Sequence, residues 1–176
     1  MSAAYRSAAA AIAVVALSFL SIPATTTPAA ARGEIVPYRA DVPSGTIIVS
    51  TNERRLYLVL GQGRAMVYPV GVGRAGRQWA GRSIIDSKRI APAWGPPPDI
   101  KREHPEIPDI IPGGSPKNPM GAAALTLSGG EYAIHGTNNP GSIGGYVSYG
   151  CIRMYNQDIT DLYDRVGIGT PVIVTR

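Results

Sequence analysis

The stretch HGTNNPGSIGGYVSYGCIRMYN, His135 to Asn156, holds the only cysteine of the chain, one of its two histidines and a run of glycines. Acyl chemistry on a thiol needs a thiolate, a base within hydrogen-bond reach, and donors for a developing oxyanion. This segment can supply all three. A strand running to His135 from Glu131 would end on the base, and the glycine loop can fold back to bring Cys151 beside the imidazole. Gly150 would leave room for backbone N–H groups to face a substrate carbonyl. Composition and spacing alone leave a second reading equally open: Cys151 as a small buried hydrophobe and His135 as a core histidine with satisfied hydrogen bonds.

The residues after this stretch predict the one well-signalled helix. Asn156 is a candidate N-cap and Asp158 sits in the first turn near the positive end of the dipole. Ile159, Leu162, Tyr163 and Val166 recur at i, i+3, i+4, i+7 before Gly167 stops the pattern. Upstream, TIIVS, LYLVL and AMVYPVGVG are β-branched or aromatic runs separated by TNERR and GQGR, which reads as a strand meander. Further short strands are expected at Ser83 to Asp86, Lys88 to Ala91, Ala123 to Leu127, Tyr132 to His135 and Pro171 to Thr175. The proline-rich segment 91–120 has no sustained periodicity. An insert of about thirty residues in a small domain is a lid, a binding loop or disordered; proline lowers its flexibility, which favours an ordered lid.

With 176 residues, 44% of them hydrophobic, the chain can bury one core and should form one domain. Twenty-one glycines and 16 prolines favour a mainly β fold. Residues 1–31 carry Arg6, an apolar run from Ala8 to Leu20 and small residues ending at Ala31, the pattern of a secretory signal peptide, with an uncleaved anchor as the alternative. Residues 32–44 read as a linker and 45–176 as the domain. The expected location is the periplasm or cell wall, where a lone thiol is unusual because cysteines there normally pair. The net charge of +5 suits an acidic polymer, but the basic residues lie scattered in turns, which argues against nucleic acid as a partner.

Two motifs are discounted. Gly71 to Gly76 spells GxGxxG, yet no helical spacing follows it, so the glycines are read as turns or bulges and not as a dinucleotide site. His104, His135 and Cys151 lack the short spacing of a zinc site, and no metal or cofactor is expected. His104 is expected to face solvent or to belong to the lid.

The string IHGTNNPGSIGGYVSYGCIRMYNQDITDLYDRVGIGTPVIV resembles the signature of bacterial L,D-transpeptidases of the YkuD type. The likeness extends to GTIIVSTNERRLYLVL, YPVGVGR, Trp79-x-Gly81 and KNPMGAAALTL. It implies a β-sandwich with one main α-helix near the C-terminus. It also implies that Cys151 is the nucleophile attacking the third residue of a peptidoglycan tetrapeptide stem, releasing D-alanine, and that His135 is the general base, its second nitrogen oriented by a carbonyl such as that of Gly136. Tyr149, Gly150 and Cys151 would form the oxyanion hole, and Arg153 would fix the loop or bind a stem carboxylate. Amine attack on the thioester would then form a 3→3 cross-link.

One position departs from the pattern. Tyr149 stands where histidine is usual, which leaves His135 as the only imidazole in the motif and implies tuning of the site and not its loss. Ser148 either donates within the site or supports the turn, while Thr137, Trp79 and Trp94 either contact substrate or pack in the core. The rival activities are an L,D-carboxypeptidase or endopeptidase, a transferase joining an envelope protein to peptidoglycan, and a non-catalytic wall-binding domain.

Overall fold

The computed structural model describes residues 33–129 and 132–176. The expected signal peptide, residues 1–31, lies outside them, as does Glu131. Among the described residues no helix is long and apolar enough to cross a membrane.

The meander forms as its alternation dictates. Strands β2 (Ile47–Ser50), β3 (Arg55–Gly61) and β4 (Arg64–Pro69) pair antiparallel in sequence order, with Ile47, Val49, Leu56 and Leu58 turned into the core. The segment expected to be a linker contains a strand, β1 (Glu34–Pro37), which pairs with β4 from Glu34↔Val67 to Pro37↔Arg64. Four residues ending in proline carry too little pattern to announce a strand. Their place at the sheet edge explains how proline is tolerated there.

Strand β11 (Pro171–Thr175) adds parallel to β2 and antiparallel to the first half of β6 (Gly81–Ile90). The two short strands expected at 83–86 and 88–91 are thus one ten-residue strand. Its register shifts between Ile85 and Ser87, so Asp86 is the extra residue of a bulge, and beyond it β6 changes partner to β7 (Ala123–Leu127). Next come β8 (Ala133–His135) and, parallel to it, β10 (Ile152–Arg153), which completes a nine-stranded sheet. The two halves joined by β6 close on one core: Leu56, Tyr68 and Val172 belong to the same buried cluster as Leu125, Ile134 and Ile152. This is the expected β-sandwich. A small parallel pair, β5 (Val72–Gly73) with β9 (Tyr146–Ser148), occupies the GxGxxG region, which opens no helix.

The proline-rich segment is ordered and contains one short helix, α1 (Pro98–Glu103). Prolines cannot donate to their neighbours, so the segment's carbonyls need another donor. Buried Asn118 supplies it: its amide donates to the carbonyls of Pro92 at 2.8 Å and Pro112 at 3.0 Å.

Helix α2 (Asn156–Arg165) packs on β7 and β8 through Ile159 and Leu162, as the periodicity predicts. Its C-terminal end is closed from outside the helix. Lys88 on β6 donates to the carbonyls of Tyr163 and Val166, each at 2.6 Å, with its ammonium 4.1 Å from the Tyr163 ring centroid. A cation on these orphan carbonyls stabilises the helix end. Lys88→Met, which keeps the apolar stem, should therefore lower unfolding free energy by about 1–2 kcal/mol in urea titrations; an unchanged midpoint would show the contact to be energetically empty.

Candidate active site

Cys151 and His135 come together through the register of two strands. Arg153 on β10 lies opposite His135 on β8, and Ile152 opposite Ile134. Side chains alternate with period two, so the residues flanking Ile152 and Ile134, namely Cys151, Arg153, Ala133 and His135, share one face. Cys151, His135 and Arg153 line one cavity of about 560 Å³.

His135 is buried, and its Nδ1 lies 2.7 Å from the carbonyl oxygen of Gly136. A carbonyl only accepts, so Nδ1 carries the proton of the neutral ring and Nε2 keeps a lone pair. Burial is the main force holding His135 down to about 4, the charge of Arg153 adds to it, and the carbonyls of Gly136 and Pro119 oppose it. The same burial pushes the Cys151 thiol up, against the Ala133 backbone N–H and the Arg153 charge, which favour the thiolate. Both groups are therefore neutral near pH 7.

The loop after His135 is fastened by Asn156, which is not the helix cap. Tyr155 occupies the cap position without a side-chain bond. The Oδ1 atom of Asn156 accepts from the N–H groups of Ala122 and Thr137, each at 3.0 Å, and its Nδ2 donates to the Thr137 carbonyl at 3.0 Å. Thr137 is buried in this knot and does not line the cavity. Gly136 borders it: a side chain there would collide with Asn156.

The turn before Cys151 is closed by Ser148. Its Oγ donates to the Cys151 carbonyl at 2.6 Å and accepts from the Gly150 N–H at 3.1 Å. The Gly150 amide, one of the expected oxyanion donors, is thus already engaged, whereas the amides of Tyr149 and Cys151 have no acceptor among the described residues. Trp79 packs against the core and does not line the cavity, whereas Trp94 does. Arg153 is anchored through its backbone to Gly71 in both directions, at 2.8 and 2.9 Å. Its half-buried guanidinium faces the cavity, and its Nε has no partner among the described residues.

Helix α1 of the proline-rich segment stands over this cavity, contributing Pro98, Asp99, Ile100 and Arg102 to its lining. His104, at the end of α1, is exposed and lies 3.3 Å from Glu106, outside the cavity. Tyr149 explains how α1 is held. Its hydroxyl donates to the Glu103 carboxylate, Arg74 lies 4.0 Å over its ring and 3.1 Å from Glu103, and Arg77 pairs with Asp99 at 2.8 Å. The Tyr149 bond, followed by Arg74, holds the Glu103 carboxyl below the usual carboxylate range. Exposed contacts of this kind are individually weak because solvent screens them. Tyr149→Phe should accordingly raise amide exchange in residues 98–103 about fivefold without lowering the melting temperature. Exchange at the wild-type rate would show that Tyr149 does not hold the helix. Neither Glu103 nor Asn118 was signalled by the sequence: Glu103 acts on Arg74 and Tyr149, 29 and 46 residues away, and Asn118 ties together the carbonyls of Pro92 and Pro112, 26 and 6 residues away.

The family model described as the L,D-transpeptidase catalytic domain, YkuD, matches residues 44–174. Among curated relatives, "Probable L,D-transpeptidase ErfK/SrfK" of Escherichia coli K12 is 42% identical over 135 residues, covering 72% of this chain and 42% of that protein. "Probable L,D-transpeptidase YbiS" of the same organism is 37% identical over 139 residues, covering 74% and 44%. The chain thus spans less than half the length of these relatives. Among solved structures, L,D-transpeptidase 3 of Mycobacterium tuberculosis aligns with a TM-score of 0.55 at 20% identity over 74% of this chain and 60% of that one. An L,D-transpeptidase of Mycobacterium smegmatis aligns with a TM-score of 0.60 at 18% identity over 74% and 58%. These two likenesses show the fold.

Proposed function

The chain belongs to the L,D-transpeptidase catalytic domain family, and from that premise we propose that it is a peptidoglycan L,D-transpeptidase with Cys151 as nucleophile and His135 as general base. The observation that carries this reading is the shared cavity face on which strand register sets a neutral thiol and a neutral imidazole. Sγ attacks the carbonyl of the third residue of a tetrapeptide stem while the thiol proton passes to Nε2 of His135. Collapse of the tetrahedral intermediate breaks the bond to the terminal D-alanine, whose amine takes that proton, and leaves a thioester. An amine of a second stem then attacks the thioester, which frees the thiol and forms the 3→3 cross-link.

The lining charges support a carboxylate-bearing substrate. Arg77, Arg102 and Arg153 face the cavity against one carboxylate, Asp99, which Arg77 already neutralises. The segment carrying α1 is the lid of this site, and residues 1–31 are the signal that delivers the domain to the periplasm or wall. No metal or cofactor enters the scheme.

The test is mass spectrometry of the purified protein incubated with a disaccharide-tetrapeptide. A cross-linked dimer lacking one D-alanine supports transpeptidation, and tripeptide alone would assign an L,D-carboxypeptidase. An unaltered substrate with folded protein would remove stem peptides as the donor and turn attention to an envelope-protein acceptor or a wall-binding role.

A further inference from the structure

Trp79 lies outside the cavity, yet it holds the peptide group on which the chemistry of Cys151 depends. Its indole Nε1 donates to the Gly150 carbonyl at 3.0 Å. The indole is itself fixed by stacking on Tyr132, with centroids 4.9 Å apart and planes within 9°. Tyr132 in turn lies so close to Gly150 that any Cβ there would collide with its ring, and Gly150 has a φ of +128°, which side-chain-bearing residues rarely adopt.

The Gly150 carbonyl and the Cys151 N–H belong to one planar trans peptide, so they point in opposite directions. Pinning the carbonyl to Trp79 directs the Cys151 N–H away from the indole. On the other side of that residue, Ser148 Oγ fixes the Cys151 carbonyl at 2.6 Å, so rotation of the peptide is blocked at both ends. The neighbouring Gly150 amide is consumed by the same serine. Donation to a developing oxyanion therefore falls on the Cys151 N–H, together with that of Tyr149.

We infer that Trp79 is a positioning residue for acyl transfer: its indole N–H aims the Cys151 backbone amide at the oxyanion formed when the thiolate attacks a carbonyl. This inference rests on the acyl-transfer reading proposed above. In that step the S–C bond forms, the carbonyl π pair moves onto oxygen, the Cys151 N–H donates to that oxygen, and the thiol proton goes to His135. Trp79 touches none of the reacting atoms.

Two thiol reactions separate this role from mere support. Alkylation by iodoacetamide displaces iodide and develops no oxyanion, whereas acylation by an activated aryl ester does. Trp79→Phe, and a benzothienylalanine replacement that keeps the fused-ring shape on Tyr132 but lacks the N–H, should each slow acylation by at least about 10-fold. Alkylation should stay within about twofold, and KM for a tetrapeptide stem should hold while kcat falls. Should Trp79→Phe fail to fold, the benzothienylalanine protein decides. Unchanged acylation in that protein, or equal losses in both reactions, would overturn the inference. A wild-type protein that alkylates at Cys151 yet accepts neither ester nor stem would overturn the acyl-transfer reading, and the inference with it.

Discussion

Cys151→Ala is expected to abolish turnover of a tetrapeptide stem, lowering it by at least about 10⁴-fold, while leaving the fold intact. The size of the loss follows from covalent chemistry: without Sγ there is no thioester, and neither the cavity nor the backbone donors can supply one. His135→Gln should lose nearly as much, because residues that act as a unit do not contribute additively. Their electrostatics predict the form of the pH profile. With burial holding His135 down to about 4 and the Cys151 thiol raised, the reactive pair rests as neutral thiol and neutral imidazole across the neutral range. kcat/KM should therefore stay level as pH falls through the ordinary histidine range and drop only as His135 protonates near 4. Ultraviolet difference spectra against Cys151→Ala should show no thiolate at neutral pH. A thiolate band there would mean that the resting site is an ion pair and that burial does not keep the two groups neutral. A Cys151→Ala protein that still releases D-alanine would remove Cys151 as nucleophile.

The features legible in the sequence were those that repeat locally. The period-two runs of the meander and the stripe Ile159, Leu162, Tyr163, Val166 announce elements whose buried faces the fold then uses. That His135 and Cys151 are a candidate base and thiol was legible through the family resemblance; the cause of their sharing one cavity was not. It depends on β10 lying parallel to β8, and nothing local specifies a two-residue strand. Asn156 shows the opposite failure. Its position suits a helix cap, and the side chain was instead taken by Ala122 and Thr137, whose amides need a partner once the loop packs down. The bulge at Asp86, the strand in residues 34–37 and the serine that consumes the Gly150 amide are settled by partners distant in sequence, where propensity has no reach. The role of Tyr149 in holding α1 was likewise hidden, because its partner Glu103 lies 46 residues away.

Asp158→Asn should turn a nearly level stability profile into one that rises steeply with pH, because two buried groups now oppose each other. Asp158 sits in the first turn of α2, where the helix dipole favours an anion by about 0.3–1 kcal/mol. Its carboxylate is nevertheless fully buried with no hydrogen-bond partner for either oxygen among the described residues, and burying a charge costs several kcal/mol. Burial wins: together with repulsion from Asp161 it pushes Asp158 up to about 7 from its ordinary 3.8. A raised folded-state value means that the native protein holds the extra proton, so stability is greatest below the unfolded value and is lost as pH rises through 7, by about 4 kcal/mol in all. His135 runs the other way. Its value falls from 6.5 to about 4, so the unfolded chain binds the extra proton, and about 3 kcal/mol is lost as pH falls through that window. Between about pH 4 and 6.5 the slopes nearly cancel in the wild type. Removing the Asp158 carboxylate leaves the His135 slope exposed, about 1.4 kcal/mol per pH unit, and His135→Gln should give its mirror image, a stability that falls as pH rises. Urea midpoints of the three proteins across this range make the comparison, since all other titrating groups contribute alike. Parallel profiles for wild type and Asp158→Asn would show that folding does not raise Asp158 and that it is charged in the folded protein across this range. The predicted divergence would show that the residue two positions beyond Asn156, which fastens the loop after His135, is kept protonated by burial and by repulsion from Asp161.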